Sequence, residues 1–166
     1  QDLYYEVPDS RKKTRVIYEA GSFAFNKRSK KKTKSKKYLL FVGTLEPRKN
    51  LLRLLKAYSN LPHAIKKEYS LTIVGGKGWG KENVEDIVEN LDIKKFVNIL
   101  GYLSDNELVN IYSQASLFVM PSLYEGFGLP LLEAMNAGLP LVTSNISSMP
   151  EIVGNAAILV DPYNVN

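Results

Sequence analysis

From Tyr38 onward, short apolar runs alternate with segments of helical periodicity, and this alternation limits the possible folds more than any other feature of the sequence. Residues 38–43 form an apolar run that ends in glycine. The next segment carries apolar side chains at helical spacing, namely Leu51, Leu54, Leu55 and Tyr58. Apolar strands joined by helices are typical of a parallel sheet covered on both faces. We therefore predict a doubly wound α/β fold, a Rossmann-like and mostly parallel sheet of about six strands with helices on both faces.

The same alternation continues to the last residues without an internal repeat or a second domain boundary, so we assign residues 1–166 to one domain. Residues 14–18 have strand character, and we interpret residues 1–22 as a hinge or first strand and residues 23–37 as an exposed basic loop. Further strands are predicted at residues 70–75, 96–100, 117–120, 139–143 and 157–160. Helices are predicted at residues 50–58, 81–91 and 104–114, with another starting near Pro130 and one turn at residues 148–153.

In sheets of this kind, ligands bind beyond the carboxyl ends of the strands. This rule places five loops along one rim of the molecule: residues 44–49, 75–79, 101–103, 121–128 and 143–148. The rim is therefore where a functional site is expected.

The loop at residues 121–128 joins an apolar strand to a helix and contains Gly126 and Gly128, which allow the backbone to turn and to approach a ligand closely. Its free N–H groups and the positive end of the helix dipole suit a phosphate. Glu125 precedes the helix and Glu133 lies within it. In that helix Leu131, Leu132 and Met135 are expected to face the core, which would turn Glu133 away from it with Asn136. The two acids are either ordinary surface residues or acceptors for sugar hydroxyls.

Arg48 and Lys49 follow the first strand and directly precede a helix, where cations are unfavourable unless an anion lies nearby. A guanidinium can bind two phosphate oxygens at once, and an ammonium adds a point charge. The pair is either an exposed basic start of a helix or part of a phosphate site, and we favour the phosphate site.

Several other chemistries are disfavoured by the sequence. The glycine stretch at residues 75–80 has Glu82 where a P-loop needs serine or threonine, and its glycine spacing does not fit a dinucleotide-binding fingerprint, so it is either another ligand loop or a flexible turn. The single His63 has no triad or metal partners nearby, and no Asp-x-Asp pair is present to hold magnesium. The absence of cysteine excludes disulfides and thiolate chemistry.

The net charge of +5 comes from one segment, because eight of the 22 basic residues lie in the run that begins at Lys27 and ends at Lys37. Without them, 14 basic residues face 17 acidic ones, a net charge of −3. The run is either a solvated loop or a contact for anionic lipid or nucleic acid. With no signal peptide at residues 1–6 and no apolar run long enough to span a membrane, we expect a cytoplasmic protein, with a peripheral contact to the membrane as an option.

The order and spacing of several sequence blocks resemble the C-terminal, donor-binding half of retaining GT-B glycosyltransferases, specifically glycosyltransferase family 4 (group 1). The main block is Glu125-Gly-Phe-Gly-Leu-Pro-Leu-Leu-Glu133, the family's Glu-x7-Glu motif, preceded by Pro121-Ser122 and followed by Gly138-Leu-Pro140. Further similar blocks are Phe41-Val-Gly43 with Pro47-Arg-Lys49, Leu71-Thr-Ile-Val-Gly75, Asn98-Ile-Leu-Gly101-Tyr102, Leu108-Val-Asn-Ile-Tyr112 and Pro150-Glu-Ile-Val153.

The resemblance implies a role for each matching residue. Arg48 and Lys49 would bind the diphosphate of a donor sugar linked to UDP or GDP and neutralise the charge that develops on the diphosphate. Glu125 would face the transferred sugar, and Glu133 would accept hydrogen bonds from the ribose hydroxyls. No metal or other cofactor is expected. The remaining residues assigned to the donor site are Gly126, Phe127, Gly128, Leu129, Gly43, Thr44, Gly75, Gly101 and Tyr102.

The chain departs from the family pattern at two positions. Many relatives have arginine after the first strand's glycine and glycine after the phosphate-binding lysine, whereas this chain has Thr44 and Asn50. We expect Arg48 to replace the missing arginine.

The resemblance also implies that an acceptor-binding half would precede Gln1 and that the closing helices would follow Asn166. This chain alone is therefore expected to bind a nucleotide sugar weakly and to transfer nothing. The acceptor would be a glycan or a lipid-linked sugar, and nucleic acid is not expected as a partner. The alternatives are a sugar-nucleotide epimerase of the same architecture and a non-catalytic module that binds anionic lipid or nucleic acid through its basic run.

Overall fold

The structure, a computed structural model, describes residues 6–8, 10, 13–21, 23, 37–76 and 83–166. The predicted basic loop lies outside the described residues except at its ends. At one of these ends, Lys37 begins the first strand and its ammonium contacts Glu68 at 2.6 Å on the surface. Of the glycine stretch at residues 75–80, only Gly75 and Gly76 are described.

Most regular elements lie close to the predicted positions, whereas the helix at His63–Glu68 was not predicted. In chain order, they are β1 (Lys37–Val42), α1 (Leu51–Asn60), α2 (His63–Glu68), β2 (Tyr69–Val74), α3 (Val84–Asn90), β3 (Val97–Ile99), α4 (Asp105–Gln114), β4 (Leu117–Met120), α5 (Leu129–Asn136), β5 (Leu141–Ser144), α6 (Met149–Val153) and β6 (Ile158–Val160). Short 3-10 turns at Pro47–Lys49 and Lys94–Phe96 precede α1 and β3. A capping box formed by Ser104 and Glu107 opens α4.

Within the described ranges the sheet has six strands in the order β3-β2-β1-β4-β5-β6, and all five neighbouring pairs are parallel. The chain builds outward from β1 to β3, returns to place β4 beside β1, and then builds outward on the other side. This reversal creates a topological switch point between β1 and β4. Ligands bind at such a point in open α/β sheets, beyond the carboxyl ends of the strands.

Helices cover both faces of the sheet, as predicted. Neighbouring residues of β1 point to opposite faces, with Phe41 in one core cluster and Leu40 in the other. The first cluster includes the α1 stripe predicted from sequence, with Leu51, Leu54, Leu55 and Tyr58 all buried. The second joins β4 to α4, α5 and α6 through Tyr112, Phe118, Leu131 and Met149.

The strand character of residues 14–18 does not produce a strand. Residues 14–20 adopt neither helix nor strand, and Ile17 is 89% exposed. β propensity expresses how well a side chain fits a half-buried sheet surface, and this segment pairs with no strand of the described sheet. Instead, the Tyr18 hydroxyl donates to Glu151 at 2.5 Å, and its ring lies 6.2 Å from that of Phe127.

Candidate functional site

Three glycines lie side by side where β1, β2 and β3 end. The Gly43 N–H donates to the Val74 carbonyl at 2.9 Å, and the Gly75 N–H donates to the Gly101 carbonyl at 2.8 Å. A Cβ on Gly75 would lie 2.0 Å from the Gly43 carbonyl oxygen, so only glycine fits there. The predicted donor residues Gly43, Gly75 and Gly101 therefore share one edge, and the neighbouring Thr44 and Tyr102 are exposed beside it.

Arg48, Lys49 and Glu125, which the resemblance assigns to the diphosphate and the transferred sugar, form one cluster at the switch point. Glu125 Oε1 accepts from Lys49 Nζ at 2.7 Å, and Glu125 Oε2 accepts from Arg48 Nη1 at 2.8 Å. The Ser122 hydroxyl also donates to Oε1, at 2.7 Å. The side chains of Lys49 and Glu125 are buried, whereas that of Arg48 is 40% exposed. Arg48 is therefore the cation of the cluster that a ligand can reach most easily.

The loop after β1 determines where these cations lie. A 3-10 turn at Pro47–Lys49 ends at Asn50, which has a left-handed backbone with φ of 59°. The Lys49 side chain then runs over Gly43, where an added Cβ would lie 3.4 Å from Lys49 Cε. The Arg48 carbonyl accepts from the Leu123 N–H at 2.7 Å, which ties this loop to the one after β4.

Two carboxylates contact Arg48 and stabilise its positive charge. Its Nε donates to Glu46 at 2.8 Å, in addition to the Glu125 contact. Partial burial lowers the pKa of the guanidinium, but the hydrogen bond and charge of Glu125, together with Glu46, outweigh burial and raise the pKa overall. The two cations and two carboxylates form a neutral group whose geometry is fixed by short ionic bonds.

Hydroxyl groups at and just beyond the end of β5 hold the loop that carries Glu125, and none of them was predicted as a site residue. Ser144 Oγ donates to the Ser122 carbonyl at 2.6 Å, and Ser147 Oγ contacts both the N–H and the carbonyl of Glu125, at 3.2 and 3.0 Å. Ser148 Oγ lies within hydrogen-bond distance of the carbonyls of Glu125 and Phe127. The run of serines after a strand that ends at the rim is only a weak signal for these contacts, because serine is common in any loop.

The glycine loop ends in a conformation that favours glycine. Gly128 has a φ of 106° and forms the N-cap of α5, whereas Gly126 is exposed and a Cβ there would meet nothing within 4 Å. Pro130 lies in the first turn of α5, as predicted. Among the described residues, no acceptor contacts the N–H groups of Gly126, Phe127, Gly128 or Leu129. These four donors, which all belong to the predicted donor site, are available to an anion or a sugar.

The expectation that Glu133 faces away from the core is wrong. Glu133 is only 8% exposed, and its Oε2 accepts from the hydroxyl of the fully buried Tyr112 at 2.8 Å. The helix buries Leu131, Glu133 and Ala134, and leaves Leu132 and Met135 half-buried. The polar partner on α4 makes this burial tolerable, since a buried carboxylate needs hydrogen bonds. Burial raises the pKa of Glu133, the Tyr112 hydrogen bond partly offsets that rise, and the charge of Asp105 adds to it.

Two other features bear on the site. In the described part of the chain, no group of three His, Cys, Asp or Glu side chains is placed to hold a metal ion. A cavity of about 430 Å³ lies beside the cluster, against α1 and α3. Its walls are mostly apolar, and its lining includes Glu46 but neither Lys49, Glu125 nor Glu133. It therefore adjoins the charged cluster at Glu46 but does not include the buried pair of Lys49 and Glu125.

No helix among the described residues is long and apolar enough to cross a membrane.

Comparison with known proteins identifies the family of the chain. Residues 22–166 match the family model described as "Glycosyl transferases group 1". The chain is 45% identical to O-antigen chain mannosyltransferase B of Escherichia coli over 129 residues, which cover 78% of the chain and 34% of that protein. It is 34% identical to O-antigen chain mannosyltransferase RfbU of Salmonella typhimurium, over 95% of the chain and 45% of that protein. The chain thus spans less than half the length of either relative.

The fold agrees with solved structures as well. Sucrose-phosphate synthase from Thermosynechococcus elongatus superimposes with a TM-score of 0.69 at 28% identity, over 79% of this chain and 34% of that one. The six-stranded parallel sheet is thus one Rossmann-like half of a GT-B glycosyltransferase fold. With a family model that matches most of its length and a relative 45% identical, the chain belongs to the glycosyl transferases group 1 family.

Proposed function

We propose that this domain binds a nucleotide-diphosphate sugar for a retaining, metal-independent mannosyltransferase that extends a polysaccharide or lipid-linked glycan. The observation that carries the proposal is the cluster of Arg48, Lys49 and Glu125 at the β1–β4 switch point, with Glu133 on the next helix. The two relatives described above are named as O-antigen chain mannosyltransferases, which favours mannose as the sugar and a glycan chain as the acceptor.

In this proposal the cations act on the donor diphosphate. Arg48 is the more accessible of the two cations. Phosphate oxygens would replace the carboxylates of Glu46 and Glu125 as acceptors for its N–H groups. Lys49 is buried and fixed over Gly43, and it would supply a preorganised charge. When the bond between the sugar and the diphosphate breaks, negative charge develops on the leaving group, and fixed cations stabilise that charge most effectively. These residues can supply this stabilisation without a metal ion.

The sugar and the ribose would be bound by the other rim residues. Glu125 and the free N–H groups of Gly126, Phe127 and Gly128 would face the transferred sugar, whose transition state has oxocarbenium character in a retaining reaction. Glu133 would accept from the ribose hydroxyls, while Gly101 and Tyr102 would frame the base. Gly126 offers open space for such an approach.

Binding of this chain to a panel of UDP, GDP and ADP sugars, measured by calorimetry, tests the proposal. The panel should contain mannose and glucose on the same nucleotide, so that the base and the sugar are read separately. We expect Lys49→Ala and Glu133→Gln to weaken the best ligand at least tenfold each, because each removes one charged hydrogen-bond partner. Lys94→Ala, which removes an exposed surface pair with Glu89, is the matched control and should have no effect. Unchanged affinity in both site variants would overturn the assignment.

Chelation and isotope exchange test the remaining parts of the proposal. Activity of the whole enzyme should persist in EDTA, and loss of activity that Mg²⁺ restores would contradict metal independence. Exchange at the sugar ring without an acceptor would favour the epimerase alternative, to which the mannosyltransferase relatives lend no support. Deletion of residues 27–36 should leave nucleotide-sugar binding intact if the basic run is not part of the site.

A further inference from the structure

Glu133 and Tyr112 form a buried pair that joins α5 to α4. The Tyr112 hydroxyl donates to Glu133 Oε2 at 2.8 Å, and Tyr112 has no exposed surface. The Tyr112 ring is fixed against Phe118, with ring centroids 5.6 Å apart. Packing therefore sets the direction of the hydroxyl, and the hydroxyl sets the position of one carboxylate oxygen.

The other oxygen of Glu133 remains available. Within the described ranges, Oε1 of Glu133 accepts no hydrogen bond, and no buried side-chain nitrogen or oxygen lacks a partner. Oε1 must therefore reach solvent, even though the side chain as a whole is nearly covered. The carboxylate is anchored at one oxygen and can accept from a ligand at the other.

We propose that Tyr112 is a positioning residue for Glu133: its buried hydroxyl holds Oε2 so that Oε1 is presented to the hydroxyl groups of a ligand. The ligand is the ribose of a nucleotide diphosphate, and this identification rests on the proposed function. The hydroxyl also has an electrostatic role, because a hydrogen bond to the ionised carboxylate favours that form.

Two groups on α4 act on the charge of Glu133. Burial raises the pKa of Glu133, Tyr112 lowers it through its hydrogen bond, and Asp105 at the start of α4 raises it through its charge. Burial, followed by the charge of Glu133, also raises the pKa of the Tyr112 hydroxyl, which favours its protonated, donating form. When this hydroxyl is removed, burial and the charge of Asp105 remain, and both favour the protonated form of Glu133.

The Tyr112→Phe variant keeps the ring and removes only the hydroxyl. Titration of ¹³C-labelled glutamate by NMR, with the Glu133 signal assigned through Glu133→Gln, should show Glu133 protonating at higher pH in Tyr112→Phe than in the unaltered chain. Tyr58→Phe is the matched control, since Tyr58 is another buried tyrosine whose hydroxyl donates to the carbonyls of Tyr69 and Phe96 in the other core cluster. It should lower the melting temperature without moving the Glu133 titration. An unchanged Glu133 titration in Tyr112→Phe would overturn the proposal, whatever the ligand binding shows.

Ligand binding provides the second readout. The affinities of UDP and GDP should each be compared with that of the 2′,3′-dideoxy counterpart, which lacks the ribose hydroxyls. The unaltered chain should prefer the ribonucleotide about tenfold, and Tyr112→Phe should lose most of this preference. As the pH is lowered, this preference should disappear at a higher pH in Tyr112→Phe than in the unaltered chain, because Glu133 of the variant is protonated at higher pH. In a Glu133→Gln background, Tyr112→Phe should cause no further loss of the preference.

The two readouts separate failure of this inference from failure of the proposed function. If the unaltered chain binds nucleotides without any ribose preference, the role proposed for Glu133 is wrong, whereas the effect of Tyr112 on the carboxylate is still decided by the titration. If the chain shows the preference and Tyr112→Phe keeps it in full, the proposed function stands and the positioning role is overturned.

Discussion

At the scale of single residues, Asn50 connects three parts of the chain beside the charged cluster. Its side-chain amide donates to the carbonyls of Pro121 at 2.9 Å and Pro162 at 2.7 Å, and its side-chain oxygen accepts from Arg53 at 3.0 Å. Its backbone is left-handed, a conformation that favours glycine and that asparagine tolerates better than most residues. Asparagine therefore fits this position, where the family resemblance predicts a glycine, and adds hydrogen bonds that a glycine could not make.

Substitutions of Asn50 should separate the contribution of its side-chain hydrogen bonds to stability from that of its left-handed backbone. Asn50→Gly keeps the backbone conformation and loses about 2 kcal/mol of the free energy of unfolding through two buried hydrogen bonds. Asn50→Ala should lose about 1 kcal/mol more, because alanine is strained in this conformation. Urea denaturation measures both. Asp92→Gly is the control, since Asp92 is exposed with a φ of 51° and should lose little. Equal stability of the Gly and Ala variants would contradict the backbone argument.

Glu133 should make the stability of the protein depend on pH. Its pKa is raised in the folded state, so the unfolded chain releases this proton at lower pH than the folded chain does. The free energy of unfolding therefore falls as pH rises from the ordinary pKa of about 4.5 through the folded value. Glu133→Gln keeps an acceptor for Tyr112 and removes the buried charge, so it should be more stable at pH 8 by on the order of 1 kcal/mol. Thermal denaturation at several pH values should show this advantage disappearing below pH 4, and an advantage that is independent of pH would contradict the argument.

At the scale of elements, the contact between the ends of β1 and β2 depends on glycine. Gly75 has a φ of 152°, and a Cβ there would lie 2.0 Å from the Gly43 carbonyl oxygen. Because backbone cannot move aside as a side chain can, Gly75→Ala should destabilise the fold by about 3 kcal/mol. Gly76→Ala is the matched control, since its added Cβ would meet no atom within 4 Å. Urea denaturation should separate the two variants, and similar stabilities would show that the strand ends can move apart.

Most elements could be predicted from the sequence because their signals are local. The α1 stripe, the capping box of α4 and the apolar runs of the strands all depend on neighbours within one turn or one strand. The orientation of Glu133 could not be predicted in this way, because its partner Tyr112 lies 21 residues earlier on another helix. The serine contacts to the Glu125 loop likewise join residues 22 or 23 positions apart. The strand character of residues 14–18 was misleading for the same reason, since a strand needs a partner that the local sequence does not specify.

At the scale of the whole molecule, parallel topology explains why the site could be located before its contacts were known. All six described strands run in one direction, so residues that follow any of them reach the same edge. The reversal of strand order then selects the gap between β1 and β4, where Arg48 and Lys49 meet Glu125 across 76 or 77 residues of sequence. The sequence predicted the edge and the residues, whereas the ionic bonds and the burial of Lys49 required coordinates.

The proposed donor site lies on a chain that spans 34% of its 45%-identical relative. The donor identified by the binding panel should stabilise the chain by about 2.7 kcal/mol at one hundred times its dissociation constant, because it binds only the folded form. For a domain of 166 residues this corresponds to a rise in melting temperature of roughly 5–10 °C, measurable by differential scanning calorimetry. At the same donor concentration, Lys49→Ala should reduce the rise to about half or less, because it weakens binding at least tenfold. The same chain with the donor and a mannose-containing glycan acceptor should form no product, since we assign acceptor binding to the other half of the enzyme. Robust transfer by these 166 residues would show that this domain alone holds both substrates.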